Sequence, residues 1–92
     1  MKLSQIPPES GATGDINGVP VAVYNDHGTP LVLDSTCTHQ ECQTEWNDSE
    51  KTWDCPCHGS KFANNGTVLT GPATENLPRR NATLDGDEIR LI

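Results

Sequence analysis

Two short segments of this chain, Cys37-Thr38-His39 and Cys55-Pro56-Cys57-His58-Gly59-Ser60, carry thiols and imidazoles at close spacing. Cys42 lies just beyond the first segment and Cys57 falls inside the second. Thiolate and neutral imidazole are both good ligands for transition metals, so a metal centre is the chemistry to expect. A zinc ion would accept Cys37, His39, Cys55 and His58 in a tetrahedron, and the chain would then be a structural zinc-binding module. Zinc sites usually group like ligands, as Cys-x2–4-Cys and His-x3–5-His. Here each segment offers one Cys and one His. That mixed pairing suits a cluster of two unlike irons, with both thiolates on one iron, both imidazoles on the other, and each segment reaching both.

Two such segments need a scaffold that sets them side by side. Turn signals recur along the chain at Asn17-Gly18, His27-Gly28, Asn65-Gly66 and Asp85-Gly86. Asn-Gly and Asp-Gly favour the left-handed backbone of tight hairpins. Between them lie strand-like runs, predicted over Val19 to Tyr24, Pro30 to Leu33, Thr67 to Leu69, Asn81 to Leu84 and Glu88 to Ile92. Val21, Val23, Leu31 and Leu33 alternate with their neighbours, the period-two pattern of a strand. Thr52-Trp53-Asp54 is predicted to pair with Thr44-Glu45-Trp46 across the polar turn Asn47-Asp48-Ser49-Glu50. Trp46 and Trp53 would then pack on each other as the core of that hairpin; an electron relay is the competing role. Seven prolines and eight glycines leave little room for helix. The fold class is therefore all-β, a small antiparallel sandwich or open barrel, with the two Cys-His segments as loops at one end.

The chain has 92 residues, of which 33% are hydrophobic. A chain of this size buries only about 60–65% of its unfolded surface, so a metal or a disulfide is an expected supplement to the core. The formal net charge of −7 argues against nucleic acid and against anionic membrane surfaces, and it suits either a basic or neutral partner or plain solubility. No run approaches the ~20 apolar residues of a membrane span. Met1 to Pro8 has no apolar core of a secretory signal, so the expectation is a cytoplasmic chain, or one separated from a leader or a larger or membrane-anchored neighbour. Without a secretory route, the glycosylation patterns at Asn47-Asp48-Ser49 and Asn81-Ala82-Thr83 carry no weight. His27 is expected in a solvated turn, and Arg79-Arg80 at the surface.

Cys37-Thr38-His39-Gln40-Glu41-Cys42 and Cys55-Pro56-Cys57-His58-Gly59-Ser60 closely resemble the two cluster-binding motifs of Rieske [2Fe–2S] proteins, in which two histidines replace two cysteines on one iron. Gly71-Pro72-Ala73 followed by Leu77 is similar to that family's proline loop, which packs over the cluster. The resemblance implies a single Rieske-type domain over residues 1–92, with a cluster-binding subdomain of two loops at about 36–77. It implies that Cys37 and Cys55 bind the buried iron, and His39 and His58 the outer one. It further implies that Cys42 and Cys57 are a disulfide tying the two loops, the alternative being two free thiols. A disulfide closing a loop of about 15 residues contributes about 3 kcal/mol by the loop-entropy account. The cluster already joins the same loops, so the increment here is smaller.

Charge counting explains what such a centre does. Two ferric irons and two sulfides carry a formal charge of about +2. Two thiolates bring the site to about zero, whereas four bring it to about −2, and the less negative site accepts an electron more readily. The established range for this class is roughly −150 to +300 mV, against roughly −400 mV for plant-type all-Cys clusters. Each imidazole keeps an outward ring N–H that ferric iron acidifies, so the potential should fall with rising pH. By the resemblance, Ser60 supplies a hydroxyl to a bridging sulfide, which favours the reduced state; its plainer role is a turn residue after Gly59. Phe62 stands where high-potential members carry a Tyr that donates to a cysteine sulfur. Glu41 replaces a usual Gly and adds a carboxylate that disfavours the incoming electron. Together these imply an intermediate potential, and Phe62→Tyr should raise it.

The function implied is one-electron transfer through a [2Fe–2S] cluster, by a chain that is not an enzyme alone. The run Trp46-Asn47-Asp48 through Phe62 is similar to the C-terminal Rieske domains of some bacterial FAD-dependent oxidoreductases, which implies a flavin domain or another redox protein as partner. A free-standing monomeric ferredoxin and the soluble Rieske domain of a quinol-oxidising cytochrome complex are the other settings. The cysteine pair argues against the usual oxygenase ferredoxin, and Phe62 against quinol oxidation.

Overall fold

The computed structural model describes residues 1–38 and 42–92. The roles expected of His39, Gln40 and Glu41 lie outside the described residues. Among those described, the chain forms nine strands and one short 3-10 turn at Leu3–Gln5. Every strand pair is antiparallel. The first sheet is β1 (Gly11–Ile16), β2 (Val19–Asp26) and β3 (Thr29–Asp34); the second is β4 (Glu45–Asn47), β5 (Thr52–Asp54), β6 (Lys61–Ala63) and β7 (Val68–Thr70); β8 (Ala82–Asp85) and β9 (Glu88–Leu91) form a two-stranded ribbon.

The hairpin turns follow from local chemistry. Asn17-Gly18 and His27-Gly28 each take positive φ at both residues, 52° and 80° in the first, 51° and 94° in the second. Such paired left-handed residues match the twist of the strands they join. Asn25 reinforces the second turn: its buried side chain donates to the Ile6 carbonyl at 2.7 Å and accepts the Gly28 N–H at 2.7 Å. His27 is exposed, as expected of a turn residue, and its Nε2 lies 3.1 Å from Glu9 Oε1.

β2 departs from simple alternation. Val21 to Asn25 are all buried, so this strand has no solvent face. Val21 and Val23 join Val32, Leu3, Ile6, Ile16 and Ile89 in one apolar cluster. Ala22 and Tyr24 join Leu33, Trp53, Phe62, Cys37 and Cys55 in another. Leu33, which alternates like the valines in sequence, pairs with Ala22 across the sheet and so faces the second cluster. The first sheet is therefore a wall between two cores, one under the N-terminal segment and β9, the other under the cysteine segments.

Two strands were not legible as strands. β1 reads Gly-Ala-Thr-Gly-Asp-Ile, poor in strand formers, and it is held by its pairing with β2. β6 has three residues and is bounded by the Ser60 loop and the Asn65-Gly66 turn. The tryptophan hairpin forms as expected, with Trp46 opposite Trp53. Their rings meet edge to face at 4.8 Å, an arrangement that adds to burial.

Candidate metal centre

The segment of Cys37 is anchored on both sides. The Cys37 N–H donates to the Cys42 carbonyl at 2.7 Å, and the Thr44 N–H donates to the Ser35 carbonyl at 2.7 Å. Thr36 bridges to Gln43. Ser35, Thr36 and Cys37 thus pair with Thr44, Gln43 and Cys42 as a short antiparallel neck.

The second segment connects β5 to β6. Its neck is the pair Asp54 and Lys61, opposite each other in register. The Cys55 N–H donates to the Ser60 carbonyl at 2.8 Å, and the Gly59 N–H donates to the Cys55 carbonyl at 3.0 Å. Gly59 sits at φ +80°, a left-handed conformation that side chains resist, so this tight reversal needs glycine. Below the loop, Asp54 accepts from Thr52 Oγ1 at 2.6 Å, Asn47 Nδ2 at 2.9 Å and Lys61 Nζ at 3.1 Å. Lys61 also bonds Glu50 at 3.0 Å. Burial pushes the Asp54 carboxyl up, but these donors outweigh it and hold the group below its ordinary value. Lys61 is pushed the other way, by its bonds to Glu50 and Asp54.

Cys42 and Cys57 are joined as a disulfide, with Cα atoms 6.4 Å apart. The two loops are therefore covalently tied, as the resemblance implied. Cys37 and Cys55 stand outside that bond and are 4% and 2% exposed, within the same apolar cluster as Trp53, Phe62, Ala73 and Leu77. His58, three residues past Cys55, is exposed. The two thiols sit on the protein side of the loops, and His58 on the solvent side.

The proline loop closes over them. Pro72 follows a cis peptide bond and is exposed, while Ala73 and Leu77 are buried. The Ala73 N–H donates to the buried Ser60 hydroxyl at 3.0 Å. Thr38 Oγ1 donates to the Glu75 carbonyl at 2.6 Å, and the Leu77 N–H donates to the Gly66 carbonyl at 2.8 Å. Phe62 is fully buried, in the same apolar cluster as Cys37 and Cys55. Thr38, Asp54 and Lys61 were not singled out in the sequence. Thr38 lies inside a cluster motif and its hydroxyl was a visible signal; the Asp54–Lys61 pair has none before the register of β5 and β6 is known. Arg80 bonds Asp34 at 2.5 Å, at the end of β3 just before the first cysteine segment, and Arg79 is exposed.

The arrangement fits a two-iron cluster better than a lone zinc ion. Two buried thiols come from different loops, the nearby disulfide withdraws the other two cysteines from ligation, and an imidazole lies on the open side. Residues 1–81 match the Rieske [2Fe-2S] domain family; the chain belongs to that family. It is an electron-transfer domain with a [2Fe-2S] cluster as cofactor.

Among its relatives, YhfW of Bacillus subtilis (strain 168), which bears a Rieske 2Fe-2S iron-sulfur protein name, is 46% identical over 78 residues, 84% of this chain and 15% of that protein. The cytochrome b6-f complex iron-sulfur subunit of Synechococcus sp. (strain JA-3-3Ab) is 42% identical over 78 residues, 83% of this chain and 45% of that subunit. The chain thus spans less than half the length of either relative. The crystal structure of the cyanobacterial plasma membrane Rieske protein PetC3 from Synechocystis PCC 6803 superposes with a TM-score of 0.83 at 31% identity, covering 99% of this chain and 94% of that one. A ferredoxin of carbazole 1,9a-dioxygenase from Nocardioides aromaticivorans IC177 shares the fold, with a TM-score of 0.74 at 22% identity over 99% of this chain and 91% of that one. Among the described residues no helix is long and apolar enough to cross a membrane.

Proposed function

We propose that Cys37 and Cys55 hold the inner iron of the cluster, that His39 and His58 hold the outer one, and that residues 1–92 form one domain whose cluster-bearing part is about 36–77. The observation that carries this is the pair of buried thiols, one from each loop, with His58 exposed beyond the second. When bound, the cluster stores and releases one electron at a time. Cys37 and Cys55 supply the negative charge in an apolar, water-poor setting. His58 offers the solvent-side edge through which a partner is reached. Ser60 orients a hydroxyl inward, Phe62 fills the floor without a polar group, and the Pro72 loop keeps water off the thiol side.

The chain works as a module of a larger oxidoreductase or as a ferredoxin-like protein, in the cytoplasm, as a monomer on its own and with a redox protein or flavin domain as partner. The 46% identity to YhfW, of which this chain matches only 15%, supports the module setting. The similarity to a cytochrome b6-f iron-sulfur subunit supports a second setting, a Rieske domain that takes electrons from quinol.

EPR of the reduced protein with a redox titration tests the proposal. A Rieske-type signal lost in Cys37→Ser, Cys55→Ser, His39→Ala and His58→Ala is expected, and a signal surviving in any of them removes that residue from the ligand set. A midpoint near roughly +300 mV would select quinol oxidation, and one near roughly −150 mV the oxygenase-ferredoxin type.

A further inference from the structure

The sulfurs of Cys42, Cys55 and Cys57 lie within 4.8 Å of one another. Two of them form the disulfide; the third belongs to a residue 2% exposed in the adjoining apolar cluster. A thiol beside a disulfide is a nucleophile beside its target, because exchange proceeds by attack of one sulfur on another and expulsion of the third. We infer that when the cluster is lost, Cys55 attacks this disulfide and converts Cys42–Cys57 into Cys42–Cys55. The inference rests on Cys55 being a cluster ligand, since ligation occupies its sulfur as long as the cluster is bound.

The step balances with no outside oxidant. Cys55 gives up its thiol proton to the water that enters as the cluster leaves, and its sulfur bonds to Cys42 Sγ. The Cys42–Cys57 bond breaks, and Cys57 leaves as a thiolate that takes a proton from water. One thiol and one disulfide stand on each side. Two features set the direction. Cys57 is exposed whereas Cys42 is half-buried, so expelling Cys57 places the leaving charge in water, where it costs least. Attack on Cys57 would instead bond Cys55 to Cys57 across Pro56 alone, whose ring restricts the backbone. The favoured product keeps the two loops tied while locking a cluster ligand into a disulfide. A chain that has lost its cluster then cannot accept iron at Cys55 until a dithiol reductant reopens the bond.

The full chain tests this, loaded with cluster and after stripping with an iron chelator under non-reducing conditions, each then blocked with iodoacetamide and digested with trypsin. Lys51 and Lys61 bracket a peptide containing both Cys55 and Cys57, and fragment ions on either side of Pro56 separate them. The stripped chain is expected to carry the label on Cys57 and a Cys42–Cys55 link, and the loaded chain only Cys42–Cys57. Label confined to Cys37 and Cys55 after stripping would overturn the inference and leave the ligand assignment standing. A Cys55–Cys57 link with label on Cys42 would also overturn it. Label on Cys55 in the loaded chain would overturn the ligand assignment, and label on Cys57 there would overturn the inference by removing its starting disulfide. In Cys55→Ser, Cys57 should stay unlabelled; label there would show that the disulfide opens without Cys55.

Discussion

The buried hydroxyl of Ser60 accepts the Ala73 N–H at 3.0 Å, so the loop that carries Cys55 is latched to the loop that opens at Gly71. Thr38 makes the matching contact from the other cysteine loop, donating to the Glu75 carbonyl at 2.6 Å. One hydroxyl from each Cys-His segment thus holds the proline loop. Because Ser60 accepts from Ala73, its own proton remains to be donated inward. Ser60→Ala is expected to act twice. It leaves a buried N–H without a partner, at a cost of about 1–3 kcal/mol in a urea unfolding experiment. It also removes a donor to the cluster and lowers the midpoint potential. A redox titration giving the same midpoint in the variant would show that the hydroxyl does not reach the cluster.

Phe62 is fully buried and shares the apolar cluster of Cys37 and Cys55. By the family resemblance a hydroxyl added there would donate to a cysteine sulfur, and such a bond draws negative charge from the site. Phe62→Tyr should therefore raise the midpoint potential in a redox titration. An unchanged value would place the new hydroxyl away from the ligands.

Gly11 leaves room for the tryptophan pair. A Cβ on this residue would lie 2.8 Å from Trp53 Cη2 and 2.9 Å from Trp46 Cδ2. Overpacking of this kind costs about 1–3 kcal/mol, so Gly11→Ala should lower the urea midpoint by a corresponding amount and shift the tryptophan fluorescence. An equal midpoint would mean that the ring pair can move aside freely.

Asp48 Oδ1 accepts from Lys51 Nζ at 2.9 Å, Trp46 Nε1 at 3.0 Å and Ser10 Oγ at 3.1 Å. The bonds from Lys51, Trp46 and Ser10, in that order, hold its carboxyl below the ordinary value. Asp87 is held down by Ser4, and Glu88 by the amino terminus of Met1. A depressed carboxylate stabilises the fold above its unfolded value of about 4 and loses that contribution as pH falls through the lower folded value. Resistance to urea should thus drop as pH falls from about 5 toward 2, and Asp48→Asn should flatten part of that drop. A variant whose pH profile is as steep as that of the parent chain would exclude Asp48 from the effect.

What could be learned from residue order alone was whatever depends on neighbours in the chain. Asn17-Gly18 and His27-Gly28 turn because their own backbones accept left-handed angles. The Trp46–Trp53 hairpin is legible because its turn is short and polar. The Cys-His segments announce their chemistry because both ligand types are packed into a few residues, and the resemblance they carry supplied the Cys42–Cys57 bond. Tertiary structure alone decided the rest, since it depends on residues brought together from distant parts of the chain. Pairing with β2 makes a strand of the weak sequence Gly11–Ile16. Burial on both faces splits β2 between two cores, which a period-two pattern cannot foretell. The latch from Ser60 to Ala73 and the gathering of the Cys42, Cys55 and Cys57 sulfurs exist because residues distant in sequence close over one apolar floor. Local sequence selects the ligands and turns; packing decides which of them face each other.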